Sequence, residues 1–158
     1  MPQAIVKPTN QVVAAGDPLI VEMEIGANAT VAEVIPGSVV IFDDADQTVK
    51  ECGAKADGWV GIIEVSPDGT KTTQPAVGDQ VPIIVGDCFC VVKLLASENV
   101  TRGDPLVTAA DGKVAKQAVG AMGGQGKVIG YAMESSNVTT DADILIHFCP
   151  AAEPAAAS

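Results

Sequence analysis

The sequence predicts an all-β protein, in which duplicated short-strand units form a compact β-barrel or β-sandwich-like body with an extended N-terminal arm. Three observations carry this. Apolar residues make up 47% of the 158 but aromatics only 3%, so Val, Ile and Ala fill the core, and β-branched side chains fit a pleated surface. Gly occurs 16 times and Pro 10 times, so elements are short and turns frequent. No window of about a dozen residues keeps a helical apolar period between caps, whereas short apolar runs recur between Gly, Asp, Asn and Pro.

The elements follow in chain order. Residues 1–15 are expected to form the arm. Pro2 and Pro8 bracket AIVK, and Gln3, Thr9, Asn10 and Gln11 are polar, so this stretch is expected to order only against a partner. The body spans 16–149. Its strand segments are 19-LIVEMEI-25, 38-SVVIF-42, 59-WVGIIEV-65, 81-VPIIV-85, 88-CFCVVKLL-95, 105-PLVT-108, 127-KVIGYAM-133 and 143-DILIHF-148. In the first, Ile20, Glu22 and Glu24 alternate with Val21, Met23 and Ile25, the period of a strand. Asp111-Gly112 is a hairpin signal between PLVTA and KVAK. The best helical candidate, 114-VAKQAVGAM-122, is weakened by Gly120. The Pro/Ala-rich tail 150-PAAEPAAAS-158 is expected to be mobile.

The order of these segments repeats. Gly16-Asp17 opens LIVEMEI and Gly86-Asp87 opens CFCVVKLL. Gly37-Ser38 and Gly103-Asp104 open a second matching pair, each reaching a Lys thirteen positions later, at Lys50 and Lys116. VGIIEV, with Gly61, answers IGYAME, with Gly130, and 78-GDQVPIIV-85 answers 140-TDADILIH-147. The spacings are 70, 66, 69 and 62 residues. This predicts a tandem duplication, about 16–85 and 86–149, whose copies share one core. The two GDPL strings at 16–19 and 103–106 do not align with each other in this scheme. Gly16, Asp17, Gly37, Gly86, Asp87, Gly103, Asp104, Asp111 and Gly112 are expected to shape turns. Gly tolerates positive φ, and an Asp carboxylate accepts bonds from nearby backbone N–H groups.

Composition also excludes classes of function. A net charge of −11 works against nucleic-acid phosphates and anionic membrane surfaces, so neither is expected as a partner. MPQAIVKPTNQ has no apolar leader core, and runs such as 81-VPIIV-85 are too short to span a bilayer, so the chain is expected to be made and kept as a cytosolic product. Cys88 and Cys90 fall on one strand face, but no second Cys pair is near in sequence and His147 is the only histidine. The four cysteines (Cys52, Cys88, Cys90, Cys149) therefore read as free buried thiols rather than a zinc site.

No catalytic constellation emerges. The loop 120-GAMGGQGKVIG-130 misses the phosphate-loop pattern, with Ala121 and Val128 at required positions, and misses the dinucleotide pattern at Ile129. Asp43, Asp44 and Asp46 lack the Gly and distal Glu of a calcium loop and read as a solvated hairpin turn. His147 reads as a structural strand residue, since no GxSxG motif accompanies it. Arg102-Gly103-Asp104 spells an adhesion tripeptide inside a turn of the repeat, and is taken as chance. The Asn-x-Thr sequons at Asn28, Asn99 and Asn137 mark exposed turns. Neither enzyme activity nor any catalytic, cofactor or metal site is expected. Two alternatives compete: a secreted or cell-surface adhesion module, against which the missing leader counts, and a small carbohydrate-binding or hydrolase barrel. One Trp, one Tyr and three Phe are few for a sugar platform.

One resemblance bears on function. The stretches 103-GDPLVTAADGKVAKQA-118, 128-VIGYAMES-135 and 143-DILIHF-148, preceded by 77-VGDQVPIIVGDCFCVVKLL-95, resemble the capsid decoration, or cement, proteins of tailed viruses. The resemblance covers about 80–148 and, through the repeat, about 37–79. It implies a small β-barrel-like body, often a trimer, on the outside of an icosahedral head. There it would bind the major capsid protein and tie subunits together after expansion. The four cysteines and the longer first half at Gly26–Val34 depart from that pattern. Gln3, Ala4, Ile5, Val6 and Lys7 are the segment expected to add as a strand to a neighbouring capsid subunit.

Overall fold

Runs such as VPIIV and SVVIF carry apolar side chains at consecutive positions, so strands built from them need cover on both faces. The computed structural model, which describes residues 12–16, 18–53, 59–66, 73–118 and 128–149, meets that need with two closed five-stranded barrels. The strands are β1 (Val13–Gly16), β2 (Ile20–Ile25), β3 (Val39–Phe42), β4 (Thr48–Glu51), β5 (Trp59–Ile63), β6 (Gln80–Ile84), β7 (Cys88–Leu94), β8 (Asn99–Val100), β9 (Pro105–Thr108), β10 (Val114–Lys116), β11 (Val128–Ala132), β12 (Ser136–Asn137) and β13 (Ala142–Phe148).

Barrel one runs β2-β4-β3-β5-β6 and closes by antiparallel pairing of β6 with β2. Barrel two runs β7-β10-β9-β11-β13 and closes by pairing of β13 with β7. The two circuits are the same. Each has one parallel step, β2 with β4 and β7 with β10, and the other four steps are antiparallel. Bulges also recur, between Val40 and Ile41 where β3 meets β5, and between Val128 and Gly130 where β11 meets β9. The chain is thus duplicated at the level of the fold.

Pairing defines which residues are equivalent. Gly26 N–H donates to Val49 and Leu95 N–H to Val114, so Ile25 matches Leu94 and Val49 matches Val114. Val40 opposite Gly61 matches Leu106 opposite Gly130. Ile20, Ile84 and Ile62 match Phe89, His147 and Tyr131. Two of the four sequence registers are therefore one residue out, because they set Leu19 against Phe89 and Val85 against His147. Such a slip exchanges the faces of a strand. Lys50 likewise matches Ala115, so the two lysines are not equivalent.

The core is not the single shared one expected. Ile25, Val34, Val40, Val49, Ile63, Val81 and Ile83 form a cluster belonging to barrel one alone. Their strand neighbours of opposite parity, Val39, Ile62 and Ile84, join Cys52 in a second cluster with Cys90, Val92, Leu94, Leu106, Ile144, Ile146 and Phe148 of barrel two. Alternate residues of one strand thus serve two cores. At the junction Lys93 N–H donates to Gly37 and Gly112 N–H to Cys52. The Cys52 thiol, 1% exposed, donates to the Ala109 carbonyl at 3.3 Å, and burial pushes its pKa up to about 12.

Two local expectations change. Val13–Gly16 pairs with β7 of its own chain, so residues 13–15 do not wait for a partner. Residues 114–116 are a strand, not the start of a helix. Val114 is fully buried opposite Thr108, and this long-range pairing overrides a weak helical preference. The loop 120–127 and the tail 150–158 lie outside the described residues.

Candidate functional site

The matched turns are built alike. In Ile35-Pro36-Gly37-Ser38 the Ser38 N–H donates to Ile35 at 2.9 Å, and in Thr101-Arg102-Gly103-Asp104 the Asp104 N–H donates to Thr101 at 3.0 Å. Gly37 and Gly103 have φ of +92° and +93°, the third-position conformation of a type II turn that L-residues resist. Asp104 also accepts the Thr101 N–H at 2.7 Å and pairs with Lys116 at 2.8 Å. Its carboxyl is held below the usual range, first by the Lys116 bond and then by the Thr101 N–H. The adhesion-like tripeptide is therefore part of a bonded turn, with Arg102 N–H donating to the Ser135 hydroxyl at 3.0 Å.

The remaining turn candidates are placed differently. Gly16, with φ +118°, lies in β1 against Cys88. Gly86 lies outside the left-handed region, but a Cβ there would sit 2.6 Å from Leu19 N, so it permits a close crossing of chain segments. Asp111 (φ 60°) and Gly112 (φ +70°) belong to the short 3-10 segment Ala110–Gly112, kinked at the left-handed Asp111, that links β9 to β10 and touches barrel one. Asp87 is exposed, immediately before β7. Asp17 and the arm residues Gln3, Ala4, Ile5, Val6 and Lys7 lie outside the described residues.

The acidic turn is only partly solvated. Asp44 and Asp46 are exposed, but the Asp43 side chain is 2% exposed. It accepts bonds from the Asn28 side chain at 2.9 Å and the Asn28 backbone N–H at 3.0 Å, and meets Lys50 at 3.3 Å. A Cβ at Gly26 would stand 2.1 Å from its Oδ2, so that glycine makes the room. The Asn28 side-chain bond leads in pulling the Asp43 pKa from 3.8 to about 2. A carboxyl with a lowered native pKa stabilises the fold above its unfolded pKa, and that contribution fades as pH falls from about 4 towards 2. Because Asp44 to Gln47 around it are exposed to solvent, which screens the carboxylate, the effect is on the order of 1 kcal/mol. Asp43→Asn is expected to flatten the urea-midpoint profile over that window relative to wild type. Parallel profiles would contradict this.

Charge and exposed apolar surface complete the picture. Among the described residues, Lys50, Lys93, Lys113 and Lys116 pair with Asp43, Asp143, Asp141 and Asp104. On barrel two, Pro105, Tyr131, His147, Phe89 and Ala15 stand side by side across β9, β11, β13, β7 and β1. Tyr131 is 42% exposed, and the Phe89 and His147 rings lie 5.0 Å apart. Such a strip suits contact with another protein, where aromatic side chains are enriched. In the sequence His147 reads only as a structural strand residue, and the row is not legible there, because its members are scattered from 15 to 147 and meet only through cross-strand register.

A comparison with curated proteins found no match. A solved structure described as the head fiber gp8.5 N base in bacteriophage phi29 is similar at 17% identity and a TM-score of 0.49, over 81% of this chain and 94% of that one. The XM1 gp53 minor capsid protein family matches residues 7–158, nearly the whole length. The chain belongs to the XM1 gp53 minor capsid protein family and is a phage capsid-associated structural protein.

Proposed function

We propose that the protein binds the outside of an icosahedral phage head as a trimer and stabilises the expanded shell by bridging neighbouring major capsid subunits. The observation that carries this reading is family membership across residues 7–158. The body supports it as a fixed base for an arm. Val12 is 1% exposed, and its carbonyl accepts the Val91 N–H at 2.9 Å, so the body holds the chain fast beside β7 at Val12. Gln3–Lys7 then add as a strand to a sheet edge of a capsid subunit. Three arms on one trimer make attachment multivalent, which raises apparent affinity by about two orders of magnitude or more without new contacts. The protein is made in the host cytoplasm and acts on the outer capsid surface, without catalysis.

The test is to mix purified protein with expanded heads lacking it and image them. Added density at a capsid symmetry position, with three copies per feature, is the expected result. Heads unchanged at saturating protein would refute the reading. Deleting residues 2–11, which spares buried Val12, is expected to weaken head binding by about tenfold or more with the fold intact. Unchanged affinity would remove the arm from the proposal.

A further inference from the structure

Asp87 immediately precedes Cys88 and Cys149 immediately follows Phe148, and Cys88 opposite Phe148 is the last pair of the β7–β13 ladder. Residues directly opposed in an antiparallel pair share a face, as do residues two apart along a strand. His147 and Cys149 therefore share one face of barrel two with Asp87 and Phe89. The structure brings a His ring nitrogen, the Cys149 sulfur and an Asp87 carboxylate oxygen within 4.8 Å of one another. Bonds of about 2.0–2.3 Å to a common ion require ligand atoms somewhat nearer than that, so binding needs the three side chains to draw together. His147 and Cys149 are half-buried and Asp87 is exposed, so the group is reachable from solvent on one side. The Phe89 ring, 5.0 Å from the imidazole, limits how far His147 can swing.

The pair noticed in the sequence behaves in the opposite way. Cys88 and Cys90 have the same two-residue spacing but point into the buried cluster, at 3% and 0% exposure. The motif with access is 147-HFC-149, one strand over, completed by an aspartate sixty residues earlier in the chain. We infer that Asp87, His147 and Cys149 form a zinc-binding site on the outer face of barrel two, with a fourth position open to solvent. The donor set of one nitrogen, one sulfur and one carboxylate oxygen matches the borderline-soft preference of Zn²⁺ and is poorly suited to Mg²⁺ or Ca²⁺, which take oxygen ligands. A bound ion would pin the end of β13 to the start of β7, across the seam that closes the barrel.

The test uses the full chain after chelator treatment, titrated with Co²⁺ as a spectroscopic stand-in and then with Zn²⁺ in competition. One Co²⁺ per chain is expected, with a thiolate-to-metal charge-transfer band that Zn²⁺ removes. Cys149→Ser is expected to abolish that band, and His147→Gln to weaken binding by more than about tenfold, since even outer-sphere changes cost that much at such sites. Cys52→Ala, which alters a thiol outside the group, is expected to leave the band in place. Far-UV circular dichroism of each variant separates loss of ligand from loss of fold. Absence of saturable Co²⁺ binding by the wild-type chain would overturn the inference, as would a band that survives in Cys149→Ser.

Discussion

Phe148→Ala is expected to destabilise the protein by about 3–5 kcal/mol, the cost of removing a buried aromatic ring and leaving a cavity. Phe148 is the largest of the fully buried side chains among the described residues, at 0% exposure. It ends β13, opposite Cys88 on one side and Gly130 on the other, so its ring fills the place where the closing strand joins both neighbours. A domain of ordinary stability has only about 5–15 kcal/mol in total, so this variant sits near the edge of folding. Phe148→Leu keeps most of the volume and is expected to recover much of the loss. Phe42→Ala, at a residue 60% exposed, is expected to stay within about 0.5 kcal/mol of wild type. Urea denaturation of the three variants measures the differences. A Phe148→Ala loss below about 1 kcal/mol would mean that the ring does not fill the core.

Gly130→Ala and Gly61→Ala are expected to cost about 3 kcal/mol each, for steric rather than conformational reasons. A Cβ on Gly130 would lie 2.3 Å from the His147 carbonyl oxygen and 3.2 Å from Phe148 Cα. A Cβ on Gly61, its equivalent in barrel one, would lie 2.2 Å from the Ile84 carbonyl oxygen. These obstacles are backbone atoms of the paired strand and cannot rotate away, so the sheet itself must open. Both glycines sit beside a bulge, where a small barrel turns its corner and chains approach closely. Gly53→Ala is the control. Nothing lies within 4 Å of its added methyl group, and a neutral or slightly stabilising result is expected. If all three alanines proved equally harmless by thermal denaturation, the close crossing in both barrels would be wrong.

Legibility in the sequence varied with the range of the interaction. The Asp111-Gly112 turn, the paired Gly37 and Gly103 turns and most strand segments were readable, because each depends on steric preferences within four to eight residues. β10 was less clear, since a helical reading of 114–122 competes with a strand until pairing with β9 decides it. Asp43 read as one more solvated acid. Its enclosure depends on Asn28, fifteen residues away, and on the absence of a side chain at Gly26. The outer row through Tyr131, His147 and Phe89 had no local signal at all.

The sequence by itself determined a chain of short β-branched strands, glycine-led turns and two copies of one strand order. These follow from backbone sterics and from a repeat that survives in glycine positions. Only the tertiary structure decided that each copy closes into its own barrel, and which of two adjacent apolar residues faces which core. The physical reason lies in strands such as Val39–Val40, Ile62–Ile63 and Ile83–Ile84, buried on both faces. Without a polar face, the period of two vanishes from the sequence, and register is left to hydrogen bonds between distant strands.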